Sequence, residues 1–234
     1  MKMYKKVMAA ALAGVMTVSM SATAFAADDD GYILKATNED SKSSDNDLVI
    51  AIEGSVSSMD PANIPDTNAI SATRVVYETL VSVDENQELT GKLAESWEVS
   101  DDSLTYTFKL RQGVKFQDGT DFNAAAVKAN YDRVVNKDNK LRQIRTFILT
   151  NDDVSETPRV DSIETPDDYT LVIKLTQAWA PFINRLTQFC IISPAALEEY
   201  GNDIMNHPCG TGPYVCTEWE EGDHTSFERI DDFW

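Results

Sequence analysis

With 42% hydrophobic and 25% charged side chains, the 234-residue chain falls in the ordinary globular range and can bury a sizeable core, as one large domain or two small ones. Its formal net charge of −19 gives a surface that repels phosphate backbones, which argues against a nucleic-acid partner. The same charge serves solubility outside a cell and does not identify a ligand.

Lys2, Lys5 and Lys6 open the chain, and the uncharged apolar run 7–20 follows them. Ala24-Phe25-Ala26 then supplies an A-x-A site. That order predicts a secretory signal, residues 1–26, cleaved after Ala26; the apolar run is too short for a membrane span. Loss of the three lysines takes the charge from −19 to −22. Leu12-Ala13-Gly14 begins like a lipoprotein box, but Val15 stands where the lipidated cysteine would be, so no lipid is expected there. Residues 27–47 are small, polar and charged, and read as a flexible leader.

Order is expected from residue 48 onward. The run 48–52 (LVIAI) reads as a buried strand ended by Glu53-Gly54. Pro61 and Pro65, with Asp60 and Asn63, make 55–68 a structured loop. Val75, Val76, Thr79 and Leu80 suit a helix over 69–81, packed on a sheet. Leu104, Tyr106, Phe108 and Leu110 alternate with polar residues, a strand with one apolar face, and Val114-Lys115-Phe116 repeats the alternation after a turn at Gly113. Asn123 caps a helix whose Val127, Tyr131, Val134 and Val135 form one stripe. Residues 171–175 (LVIKL) are a further strand after the turn at 166–168. Pro181 starts a helix through Phe182, Ile183 and Leu186. Ser193-Pro194 opens another over 195–200, closed by Gly201. Gly210-Thr211-Gly212 turns tightly into a last strand. Strands and helices are interspersed, which makes the class mixed α/β.

Catalytic chemistry finds little support. G-x-S-x-G, H-E-x-x-H and glycine-rich phosphate loops do not occur. Asp101-Asp102 and Asp152-Asp153 are paired carboxylates of the kind found on solvated turns. His207 and His224 are the only histidines, and no C-x-x-C occurs, so neither a Ser/His/Asp arrangement nor a zinc site is expected, and no cofactor. Cys209 and Cys216 can pair across seven residues, or Cys190, Cys209 and Cys216 are all small buried hydrophobes. Trp97, Tyr106 and Phe108 invite a stacking role, but their strand period favours core packing.

Several runs together resemble one family. Ser58-Met59-Asp60-Pro61 is similar to an early S-L-D-P of solute-binding protein family 5, the oligopeptide, dipeptide and nickel binders of ABC importers. The runs at 76–81 (VYETLV), 93–100 (LAESWEVS), 104–111 (LTYTFKLR) and 113–120 (GVKFQDGT) follow in family order. So do 168–170 (DYT), Pro181-Phe182, 192–196 (ISPAA), 210–214 (GTGPY), Glu218-Trp219 and 231–234 (DDFW). The resemblance covers 48–234.

It implies a periplasmic-binding-protein-like fold (type II, cluster C). The chain would hold lobe one with an extra subdomain, incomplete and ending before a second lobe. Solute would be enclosed by hinge closure. The resemblance further implies a monomer, exported to the periplasm or the outer face of the cell membrane, that captures short peptides for an ABC permease. Nickel chelate, haem, sugar or opine on the same fold is the alternative; an exported hydrolase or an adhesion module are rivals of other classes. By position, Ala62, Asn63, Ile64, Pro65, Asp66, Thr67 and Asn68 would line the cleft, with backbone pairing to an extended peptide. Gly210 and Thr211 would lie near the hinge, where glycine permits close backbone approach. No aromatic occurs at 138–142, where some members place a ligand contact; Phe147 is the nearest after it.

Overall fold

The computed structural model describes residues 48–64, 66–141 and 158–234. The expected signal, the leader and Phe147 lie outside the described residues, as does Pro65. The chain divides into residues 1–49 and 50–234. In the first unit only Leu48 and Val49 are described, and both are exposed.

The second unit is built on a four-stranded antiparallel sheet with strand order β3-β4-β6-β5. Its members are β3 (Ala94–Val99), β4 (Thr105–Leu110), β5 (Val160–Asp167) and β6 (Thr170–Leu175). The alternation read in the sequence sets the buried face. Tyr106, Phe108 and Leu110 of β4 are buried, and so are Leu171, Ile173 and Leu175 of β6. Register Phe108↔Leu171 and Tyr106↔Ile173 places them on the same side. Each such side chain stabilises by about 1.5–3 kcal/mol when fully buried. Tyr106 meets Phe182 edge-on, ring centroids 4.9 Å apart. Trp97 is half-buried against the same core, so the three strand aromatics pack rather than present a stacking platform.

Among the described residues four helices cover this framework: α1 (Thr67–Val76), α2 (Ala124–Val135), α3 (Phe182–Arg185) and α4 (Pro194–Tyr200). Asn123 caps α2 by accepting from Ala126 N–H at 3.0 Å. Val127 and Val134 of its stripe are buried; Tyr131 and Val135 pack beside them. Ser193 caps α4, Pro194 occupies its first turn, and Gly201 ends it at φ 55. The described residues hold two further strand pairs: β1 (Val81–Val83) with β2 (Leu89–Gly91), and β7 (Tyr214–Glu220) with β8 (His224–Arg229).

Three elements differ from the sequence reading. The run 48–52 is not a strand: Leu48, Val49, Ile50 and Ile52 are 49–92% exposed. It pairs with no strand among the described residues, so its β-forming composition has nothing to act on. Helix α1 stops at Val76, not 81, because Tyr77 turns extended at φ −117 and ψ 147. Its apolar tail then feeds β1, where Val81 is buried. Val114-Lys115-Phe116 forms only a one-residue bridge, Lys115↔Asp121. Positive φ at Gly113 (76°) and Gly119 (84°) bends the segment into a closed loop. Val114 and Phe116 still point inward and are buried. All three cysteines are free.

Candidate solute-binding surface

The loop at 55–68 is held from beneath by Asp60. Its carboxylate forms a forked pair with Arg133 of α2, at 2.6 Å from Nη2 and 3.2 Å from Nη1. Asp60 Oδ1 also accepts the N–H of Ala62 at 3.0 Å, and the Asp60 carbonyl accepts that of Asn63 at 2.9 Å. Asp60 N–H in turn donates to Ser58 Oγ at 3.0 Å. Ser-x-Asp-Pro is thus a self-bonded turn whose one buried charge is neutralised across 73 residues of chain.

Asp66 closes the loop by capping α1, accepting from Ala69 N–H at 2.8 Å and from the Ser57 hydroxyl. Those hydrogen bonds, the Ser57 hydroxyl first, hold its carboxyl below the usual range. Asn68 Nδ2 donates to the Glu53 carbonyl at 2.7 Å. Ala62 is buried, Ile64, Asp66 and Asn68 are half-buried, and Asn63 and Thr67 are exposed. A small void of about 10 Å³, room for one water, lies behind Pro61 and Ala62 and is also lined by Asn130, Phe189 and Cys190.

Gly210 and Thr211 lie at the other end of α1, which at ten residues is about 15 Å long. The structure therefore does not gather the eight described candidate residues at one point; it sets them at the two ends of a helix. Both are buried. A Cβ on Gly210 would stand 2.2 Å from the Val76 carbonyl oxygen, so glycine is required by close approach. The Thr211 hydroxyl donates to Glu78 Oε2 at 3.1 Å, and its carbonyl accepts from Trp234 Nε1 at 3.0 Å. Lys92 lies 3.1 Å from Glu78 and 5.7 Å from the Trp234 ring, and Arg111 lies 5.2 Å from that ring. Burial pushes the Glu78 carboxyl up, against the pull of Lys92 and Thr211. Gln117 clamps the same segment. Its Nε2 reaches the carbonyls of Tyr214 (2.8 Å) and Gly212 (3.2 Å), and its Oε1 accepts from Gly210 N–H.

Arg133, Glu78 and Gln117 carry this geometry, and the sequence did not single them out. Each works through partners 73 to 133 positions away. A groove of about 460 Å³ runs between α2 and α4, lined by Arg133, Asn136, Asn139, Pro194, Leu197 and Asn202 among others. Among the described residues, one cluster has metal-ligating side chains: Glu220, Asp223 and His224, all exposed at the β7–β8 turn. His224 is already paired with Asp223 (2.9 Å) and Glu218 (3.2 Å), which raise its pKa.

The family model of bacterial extracellular solute-binding proteins, family 5 (middle region), matches residues 88–234. The chain belongs to this family. A family 5 glutathione-binding protein, GsiB of Shigella dysenteriae, is 37% identical over 223 residues, covering 94% of this chain and 38% of its own. A solved structure of Helicobacter pylori DppA with the peptide STSA matches with TM-score 0.67 and 29% identity, over 76% of this chain and 38% of that one. NikZ of Campylobacter jejuni with Ni(L-His) matches with TM-score 0.67 and 26% identity, over 78% and 35%. The family 5 fold, mixed α/β and partial, is the one read from the sequence runs. The chain spans under two-fifths of the length of these relatives. Among the described residues no helix is long and apolar enough to cross a membrane.

Proposed function

We propose that this chain is the first part of an exported solute-binding component of an ABC importer, and that the solute is a short peptide. The observation that carries the reading is 37% identity, over almost the whole chain, to a protein that binds glutathione, itself a tripeptide. Support comes from the likeness to a protein solved with a tetrapeptide.

In this reading residues 1–26 are the export signal, 27–47 a leader, and 48–234 most of one lobe. The loop 62–68 forms one wall of the cleft, offering backbone groups to an extended peptide. Gly210 and Thr211 hold the chain near the hinge from behind, since their polar groups already bond Gln117, Glu78 and Trp234. Peptide touching both lobes stabilises the closed form, which the permease reads. The protein acts as a monomer, without a cofactor and without catalysis.

Thermal unfolding of the complete gene product tests this. Glutathione and short peptides should raise the melting temperature in a concentration-dependent way. A rise with nickel–histidine or an opine, and none with any peptide, would transfer the protein to the alternative ligand class. Hydrolysis of the added peptides would make it an enzyme.

A further inference from the structure

We propose that Arg133 is a positioning residue for solute binding, coupling the 60–68 loop to the 137–141 turn through one turn of α2. The proposal rests on the peptide-binding reading for its functional half; the mechanical half stands on the contacts alone.

Both ends of Arg133 are engaged. Its guanidinium holds both carboxylate oxygens of Asp60, with the two side chains 10% and 7% exposed. Its carbonyl accepts from Asn139 Nδ2 at 2.8 Å. Asn139 belongs to the short 3-10 turn Lys137–Asn139, which Asn136 caps at Asp138 N–H and which ends with Lys140 in the left-handed region (φ 57). Asp60 passes the constraint on: Oδ1 accepts Ala62 N–H, and the Asp60 carbonyl accepts Asn63 N–H. Position 133 thus joins two surface segments far apart in sequence: its side chain fixes the first to α2 and its main-chain carbonyl fixes the second, so the arginine itself decides how the 60–68 loop stands. It also lines the groove between α2 and α4 that lies beside the second of them.

Charge alone does not account for the pair. A buried ion pair adds little net stability over apolar packing of the same volume, but it fixes geometry when the fork is bidentate. Lysine cannot reproduce a fork, so Arg133→Lys should keep the charge and lose part of the positioning. Arg133→Met should lose both.

The test uses the complete gene product in wild-type, Arg133→Lys, Arg133→Met and Asp60→Asn forms. Hydrogen exchange at individual amides is read without ligand, and glutathione affinity by titration. Arg133→Met should speed exchange at Ala62 and Asn63 at least tenfold more than at Phe108 in the sheet or at Asn139, whose bond to the main-chain carbonyl of position 133 survives the substitution. It should weaken glutathione binding about tenfold or more, with Arg133→Lys between it and wild type. Unchanged protection at Ala62 and Asn63 in Arg133→Met, or a uniform loss everywhere with affinity intact, overturns the proposal. If Arg133→Met fails to fold, Arg133→Lys and Asp60→Asn are judged by the same criteria. If wild-type protein binds no peptide, the function reading fails, and the coupling is decided by the exchange data alone.

Discussion

Asn130 grips the main chain of Ile192 from both sides: its Nδ2 donates to the Ile192 carbonyl at 2.7 Å, and the Ile192 N–H donates to its Oδ1 at 3.0 Å. Asn130 is 3% exposed, and Ile192 is 1% exposed. The bracket ties α2 to the segment that leads into α4. Asn130→Ala would leave a buried donor and a buried acceptor without partners, at a cost of about 1–3 kcal/mol for each group before relaxation. A loss of about 2–4 kcal/mol in urea unfolding is expected; a loss below about 0.5 kcal/mol would mean that water replaces the amide.

Two glycines should respond unequally to the same change. Gly210→Ala places a methyl 2.2 Å from the Val76 carbonyl oxygen, where backbone must move. Gly113→Ala meets nothing within 4 Å and bears only the strain of φ 76. The first should cost more than about 2 kcal/mol and the second about 1. Paired denaturation curves decide it, and equal costs would deny the close approach at Gly210.

The buried Glu78 carboxyl sets a pH dependence of definite sign. Burial raises its folded pKa above 4.5, with Lys92 and Thr211 opposing. A raised folded value contributes stability that is present below the ordinary carboxylate pKa and is lost as pH rises through the folded one. Glu78→Gln abolishes that contribution. The stability of wild type relative to Glu78→Gln should therefore fall as pH rises from the ordinary carboxylate pKa through the raised folded one. Unfolding free energies across that range give the sign, and an increase would show that the pair with Lys92 dominates.

Cys190 and Cys209 should be inert in the native protein. Burial pushes both thiols up to about 12. At pH 8 that leaves roughly one thiolate in ten thousand. Iodoacetamide should leave both unmodified until denaturant is added. Rapid native labelling of either would contradict the raised thiol pKa values.

What the sequence made legible follows from range. The alternation of β4, the strand at 171–175, the Asn123 and Ser193 caps and the Gly201 stop are encoded within a few residues, and each is seen. The end of α1 was not legible, because Tyr77 leaves the helix to bury itself against Gly210, more than a hundred residues on. The run 48–52 shows the opposite error: local β propensity without a partner strand yields no strand. For the candidate surface, the loop 62–68 came from resemblance. The ion pair beneath it, Asp60 with Arg133, lies beyond any local pattern, since nothing in a single sequence links positions 73 apart.

Isothermal titration of the protein made from the complete reading frame tests the central claim most directly. Glutathione or other peptides of a few residues should bind one to one, with a dissociation constant in the micromolar range or tighter, at about −8 kcal/mol or below. Absence of binding heat with every short peptide, alongside saturable binding of a metal chelate or an opine, would contradict it.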